Sequence, residues 1–223
     1  MFRNKFKRTV QTVKQLAVFQ VLTGAIRQFV MTKSFIDSRH QFALVLLNDT
    51  TQLIANFQQS GKDVMFMLED IASQFSESQS NEENNFDLTL LFDQVDSMVN
   101  LPNVKQPGSP PPYAIRLVFV FGRSHSKLHF TGSEKSFEKL TSNPYFFIDC
   151  VYIHEEPNDD NCVPDNFTQI CELDKSGTSF IYEVCTDRSM SSLYHAFANL
   201  LAHPLQRMRD ISVNNHDILQ TSD

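Results

Sequence analysis

An α/β fold, with helices packed on both faces of a mostly parallel sheet, is the architecture this sequence predicts. Three observations carry it. Short apolar runs rich in β-branched and aromatic residues, such as "AIRLVFVF" and "NPYFFIDCVYIH", read as strands. Between them lie longer stretches whose apolar residues recur at helical spacing, and that alternation is the mark of strands joined by crossover helices. The 223 residues are 41% hydrophobic and 20% charged, enough for one domain with a real core.

The elements follow in order. Val10, Val13, Ala17, Leu22, Ile26, Phe29 and Val30 lie near the helical period and predict a long helix ending around Ile36. Gly24 inside it costs about 1 kcal/mol relative to alanine. "FALVLLN" (Phe42–Asn48) is a buried strand, "NDTT" turns the chain, and "QLIANF" is its partner strand. "GKDVMFMLEDIASQF" predicts the second helix and "FDLTLLFDQVDSMV" the third, with the polar "SESQSNEENN" as the loop between them. "LPNVKQPGSPPPY" is irregular, because proline lacks the N–H and restricts its predecessor. "AIRLVFVF" is the next strand. A short helix over 133–140 leads to the strand in "NPYFFIDCVYIHEEP". "PDNFTQICEL" is a helix with proline at its start, "TSFIYEV" a strand and "SMSSLYHAFANLLA" the last helix. The tail from His203 is polar and reads as mobile.

Charge narrows the functional classes. The net charge of −7 argues against general nucleic-acid binding, which needs a basic surface. The charge is also uneven: residues 1–36 hold seven Lys/Arg and no acid, residues 63–104 nine acids and no base. The basic stretch reads as a solvated helix face; a mitochondrial presequence would be richer in serine than this segment, which has only Ser34. No apolar run approaches the roughly 18–20 residues of a membrane span. Cys150, Cys162, Cys171 and Cys185 form no CxxC, so reduced thiols of the cytosol or nucleus are expected.

The polar residues of "NPYFFIDCVYIHEEP" invite a catalytic reading that strand geometry weakens. Asp149 and His154 are five apart and face opposite sides of a strand. Cys150 and His154 share a face but stand roughly 13 Å apart, too far for one zinc. Asp149, buried or half-buried, should then find a hydrogen-bond partner. His125 and His129 in "HSKLH" are four apart, but they follow a strand end and lack the glutamate of HExxH. There is no GxSxG elbow, no GxGxxG and no GxxxxGK[ST]. Twenty phenylalanines with no tryptophan describe a core and not a stacking surface. "AHPLQR" stands out instead, as an extended segment able to dock on a partner.

Five blocks, "FVMTKSFIDSRHQFALVLLND", "PPPYAIRLVFVFGRS", "NPYFFIDCVYIHE", "DKSGTSFIYEV" and "LLAHPLQR", stand in one order between about residues 15 and 207. In this the chain resembles the BRISC and BRCA-A complex member (MERIT-forty) family of scaffold subunits. The resemblance implies a von Willebrand factor A-like fold, doubly wound and mostly parallel with helices on both faces, incomplete at its N-terminus because the first, central strand is missing. Such a loss leaves sheet edges unpaired. The resemblance also implies a non-catalytic scaffold, needing no cofactor, in an assembly whose metal-dependent protease subunit cuts lysine-63-linked polyubiquitin. The implied partner is the subunit carrying ubiquitin-conjugating-enzyme-like (UEV) domains, and the implied settings are nuclear DNA-damage response and cytoplasmic ubiquitin signalling.

Von Willebrand A domains commonly hold Mg²⁺ through a DxSxS motif, a threonine and a later aspartate, hard oxygen ligands of the kind octahedral Mg²⁺ requires. Here Asn85 stands in the place of the threonine, and "GRSHS" follows the strand where the aspartate would be. The expected organisation is a domain over 1–202 and a tail over 203–223. His203, Pro204, Leu205, Gln206 and Arg207 form the partner-docking motif, with Pro204, Leu205 and Arg207 as anchors. Two other classes remain alternatives: a metal-dependent von Willebrand A ligand-binding module, and a hydrolase using a cysteine or histidine.

Overall fold

Strand β6, Phe146–His154, has all nine residues buried and organises the molecule around itself. The computed structural model describes residues 2–48, 50–58, 60–74, 85–103 and 111–207, with side chains from Leu16. β6 pairs in parallel with β4 (Ile115–Phe121) on one side and β7 (Ile181–Cys185) on the other, in the order β4-β6-β7. A central parallel strand covered on both faces must be apolar throughout, which is what "FFIDCVYIH" supplies apart from Asp149 and its terminal histidine.

Alternation sorts the side chains into two cores. Phe119, Phe121, Cys150 and Tyr152 face helices α3 (Leu88–Met98), α4 (Lys135–Thr141) and α5 (Val163–Glu172). Val118, Val120, Val151 and Ile153 face α1 (Phe2–Ile36) and α6 (Ser191–Asn199). Phe92 of α3 sits at the centre of an aromatic group, its ring 4.8 Å from that of Phe137 and 5.8 Å from that of Phe130. Gly24 lies where α1 meets α6: a Cβ there would come within 2.6 Å of the Tyr194 hydroxyl, the tip of a 42% exposed side chain that would have to swing aside.

The predicted hairpin is present as β1 (Phe42–Leu47) and β2 (Thr51–Gln58), antiparallel as a short connection demands. These two strands form a sheet of their own, so the expected single sheet is divided. Helix α2 (Gly61–Gln74) packs against α1 through Val30, Met65 and Leu68. One predicted boundary needs correction. Phe86 and Asp87 are not helical: they form β3, a two-residue parallel pairing with β5 (Leu128–His129). The cause is local, because the Asp87 carboxylate accepts from the Thr89 N–H at 2.8 Å and caps α3 behind it. Residues 76–84 of the polar loop and 104–110 of the proline-rich connection lie outside the described residues.

Tyr152 gives the fold an alkaline signature. Its hydroxyl donates to the Arg123 carbonyl at 3.2 Å and accepts from Asn166 Nδ2 at 3.2 Å. Burial pushes its pKa from 10.0 up to about 12. Because the folded state then holds a proton that the unfolded chain has released, the Tyr152 contribution to stability is fully present below pH 10 and is lost between about 10 and 12. Chemical denaturation across that window should show a loss that Tyr152→Phe flattens; an unchanged slope in the variant would contradict the assignment.

Candidate docking surface and the charge cluster beneath it

The segment His203–Arg207 begins where α6 ends. Leu200 and Leu201 are among the last residues whose carbonyls lack helical partners, and such groups must be satisfied from elsewhere. Lys33, a buried lysine of α1, donates to the Leu201 carbonyl at 2.8 Å, and Arg116 Nη1 donates to the Leu200 carbonyl. Cations at a helix C-terminus are also favoured by its dipole. His203 Nδ1 accepts from the Leu205 N–H at 3.2 Å and Pro204 starts a 3₁₀ turn over Pro204–Gln206. The tail is thus seated on the domain through Arg207, with Pro204 buried. The expectation of a mobile segment from His203 does not hold for 203–207; residues 208–223 lie outside the described residues.

Arg207 is the reason. Its side chain is only 3% exposed and reaches the fully buried Asp149 in a two-pronged pair, Nη1 to Oδ1 at 2.6 Å and Nη2 to Oδ2 at 3.0 Å. Nη1 also donates to the Thr178 carbonyl at 3.0 Å, and the guanidinium lies 3.9 Å from the centre of the Phe180 ring. The loop before β7 presents that carbonyl. The Asp174 carboxylate accepts from the N–H groups of Ser176, Gly177, Thr178 and Ser179, with Gly177 at φ 66°, a left-handed angle that suits glycine. Asp149 further accepts from the Phe180 N–H at 2.7 Å and from Arg116 Nε.

The outcome is a buried centre of three cations, Lys33, Arg116 and Arg207, around one carboxylate. Burial, then the nearby Arg116 and Arg207, lowers the Lys33 pKa. Burial also lowers that of Arg116, against the pull of Asp149. Asp149 therefore has the hydrogen-bond partners its position in a strand required, and what it does with them is hold the tail. Of the five motif residues, the structure turns Pro204 and Arg207 inward, and leaves His203, Leu205 and Gln206 outward, Leu205 being 46% exposed.

Two exposed phenylalanines escape the sequence reading of phenylalanine as core. Phe35 near the end of α1 is 91% exposed and Phe66 on α2 is 74% exposed. Helical phase identifies Phe66: Val64, Met65 and Leu68 are buried and Phe66 falls off their stripe.

The loops at the carboxyl ends of the strands are occupied by structural contacts. His125 lies 3.3 Å from Glu155, and Asn85 Oδ1 accepts from the Lys127 N–H at 3.2 Å. Ser124 Oγ accepts from the Glu155 N–H at 3.0 Å. His125 and His129 do not share a ligand: among the described residues no three His, Cys, Asp or Glu side chains are grouped to hold a metal. With Asn85 and Ser124 committed to backbone N–H groups and no aspartate after β4, these residues do not fit a hard-cation site. The four cysteines are free thiols, and burial raises the pKa values of Cys150, Cys171 and Cys185, the direction opposite to nucleophile activation. Among the described residues no helix is long and apolar enough to cross a membrane.

Comparison with known proteins gives the relationship. No protein-family model matches the chain. In the fold, it is similar to proximal thread matrix protein 1 from the mussel byssus, with a TM-score of 0.54 over 82% of this chain and 42% of the other, at 10% identity. In sequence, it is 34% identical over 186 residues to BRISC and BRCA1-A complex member 1 of Danio rerio, covering 82% of this chain and 48% of the relative. The Xenopus laevis protein of that name is 36% identical over 188 residues and the Homo sapiens one 34% over 186, each match covering 82% of this chain and 54% of the relative. The chain spans about half the length of the curated relatives it matches. At that level of identity across four-fifths of its residues, the chain belongs to the BRISC and BRCA1-A complex member 1 family.

Proposed function

We propose that this chain is a non-catalytic, von Willebrand A-like scaffold subunit of a lysine-63-specific deubiquitinase assembly of the BRISC or BRCA1-A type. The observation that carries the reading is the 34–36% identity, across 82% of the chain, to proteins named as members of those complexes. The parallel β4-β6-β7 sheet with helices on both faces supports the von Willebrand A-like assignment. Thiols pushed away from reactivity, and loops filled with structural contacts, support a role carried by surfaces. On this reading the protein works in the nucleus in DNA-damage response and in the cytoplasm in ubiquitin signalling, held chiefly by a UEV-domain subunit, with no direct nucleic-acid or membrane partner.

The docking motif then divides its labour. Pro204 and Arg207 set the path of the chain, and His203, Leu205 and Gln206 meet the partner. Affinity purification of the tagged chain should bring down a metal-dependent deubiquitinase and a UEV-domain subunit; recovery of the chain alone would sink the proposal. Leu205→Asp with Gln206→Ala should reduce capture of the UEV subunit about ten-fold or more, since an exposed apolar anchor at an interface centre is worth roughly 2 kcal/mol. Thermal unfolding should barely change in that variant, because neither side chain is buried. Undiminished capture would remove the motif from the interface.

A further inference from the structure

The connection between α3 and β4 reads "LPNVKQPGSPPPYA" and ends in Pro-Pro-Pro-Tyr, residues 110–113. The structure describes the last three of these. Pro112 and Tyr113 are exposed, Tyr113 by 47%, and Pro111 is half-buried. Core packing resumes only at Ile115, whose N–H bonds the Tyr145 carbonyl at 2.8 Å. Prolines have an ordinary use in a connection, because a fixed φ stiffens it. That use leaves unexplained an aromatic side chain set directly after them with much of its surface in water.

The chemistry of the segment is that of a linear ligand. Each proline fixes its own φ and drives its predecessor toward the extended region, so consecutive prolines favour a polyproline II helix. That helix keeps its backbone groups free and loses little entropy when an aromatic-lined groove receives it. It repeats every three residues, so a ligand of this spacing offers its first proline and its tyrosine along one edge. Charge plays no part, since Lys105 is the only ionic residue between positions 97 and 115. The overlapping PxxP spacing over 107–110 contains Gly108, whose conformational freedom removes the preorganisation. The stronger ligand is therefore 110–113.

Tyr113 is lightly held. Its hydroxyl donates to the Asn100 carbonyl at 2.8 Å, in an exposed position just beyond α3. Water replaces an exposed bond of that kind at small net cost, so the ring is able to swing into a partner's pocket.

We propose that residues 110–113 are a docking ligand for a small domain of the WW type, whose aromatic-lined groove takes Pro110 and Pro111 and whose adjoining pocket takes the Tyr113 ring. Pro112 is the spacer between them. The proposal rests neither on the docking-tail reading nor on the assembly proposed above.

Titration of the intact 223-residue chain with a recombinant WW domain that reads Pro-Pro-x-Tyr peptides tests it, with an SH3 domain that reads PxxP as the comparison. The WW domain should bind and the SH3 domain should not. Pro111→Ala and Tyr113→Ala should each weaken binding at least about ten-fold, as loss of a central anchor does, while Pro112→Ala stays within about two-fold. A merely structural role for the prolines would not produce that pattern. Thermal unfolding should be nearly the same for wild type and Tyr113→Ala, given the exposure of the ring. Should a variant unfold, a synthetic peptide of residues 107–115 competes with the wild-type chain, and the same substitutions in the peptide give the same ranking. Several outcomes overturn the proposal: no binding by the chain, binding by the peptide but not by the chain, or preference for the SH3 domain. So does a loss for Pro112→Ala equal to that for Tyr113→Ala.

Discussion

Replacing Asp149 by alanine is expected to destabilise the protein by about 3–5 kcal/mol, the cost of leaving buried charges without their counter-ion. The fully buried carboxylate is shared by Arg116, Arg207 and the Phe180 N–H. Its loss leaves Lys33, Arg116 and Arg207 close together at low exposure, with nothing to offset their repulsion. Urea denaturation of the wild type and variant measures the effect, and a change under about 1 kcal/mol would show that water replaces the carboxylate. A double-mutant cycle with Arg207→Met should give strongly non-additive losses, because each substitution removes the same pair. Arg207→Met alone should also release 203–207, seen as faster proteolysis at the tail in limited digestion. A tail that remains protected in that variant would mean Pro204 suffices to hold it.

Phe92→Ala is expected to cost about 3–5 kcal/mol, as for other large aromatic truncations in a packed core. Phe92 is 1% exposed, and its ring meets those of Phe130 and Phe137, which come from a different part of the chain and from α4. The cavity would open between α3 and α4, where collapse is resisted by surface links such as Lys139 to Asp96 at 2.7 Å. Thermal or urea unfolding gives the value; Phe92→Leu should recover most of it, and a small loss for alanine would mean the aromatic group repacks freely.

Much of this was legible in residue order. The strand in "NPYFFIDCVYIH" and its separation of Asp149 from His154 followed from a period of two, and the observed faces agree: Cys150 and Tyr152 lie in one core, Val151 and Ile153 in the other. The helix ending at Ile36 and the hairpin after it followed from periodicity and a turn. Capping limited the third helix, since an aspartate two residues into a predicted helix can end the strand before it and start the helix after it.

The site was less legible, because its members are distant. Asp149 is 33 residues from Arg116 and 58 from Arg207, and a buried ion pair carries no local pattern. Arg207 looked like a surface anchor in "HPLQR", since a polar tail has no period to show that one of its side chains points inward. Phe35 and Phe66 looked like core for the converse reason: composition counts aromatic residues without assigning their phase on a helix.

By itself, then, the sequence determined the local elements, the apolar faces that pack them, and a family relationship carried by five ordered blocks. Those properties depend on neighbours a few residues apart. Tertiary structure alone decided that Asp149 clasps the tail through Arg207, and that Phe86 and Asp87 leave the third helix to pair with β5. Each of these is set by which distant groups share a low-dielectric interior and which strand edges find a partner, and neither is encoded at short range.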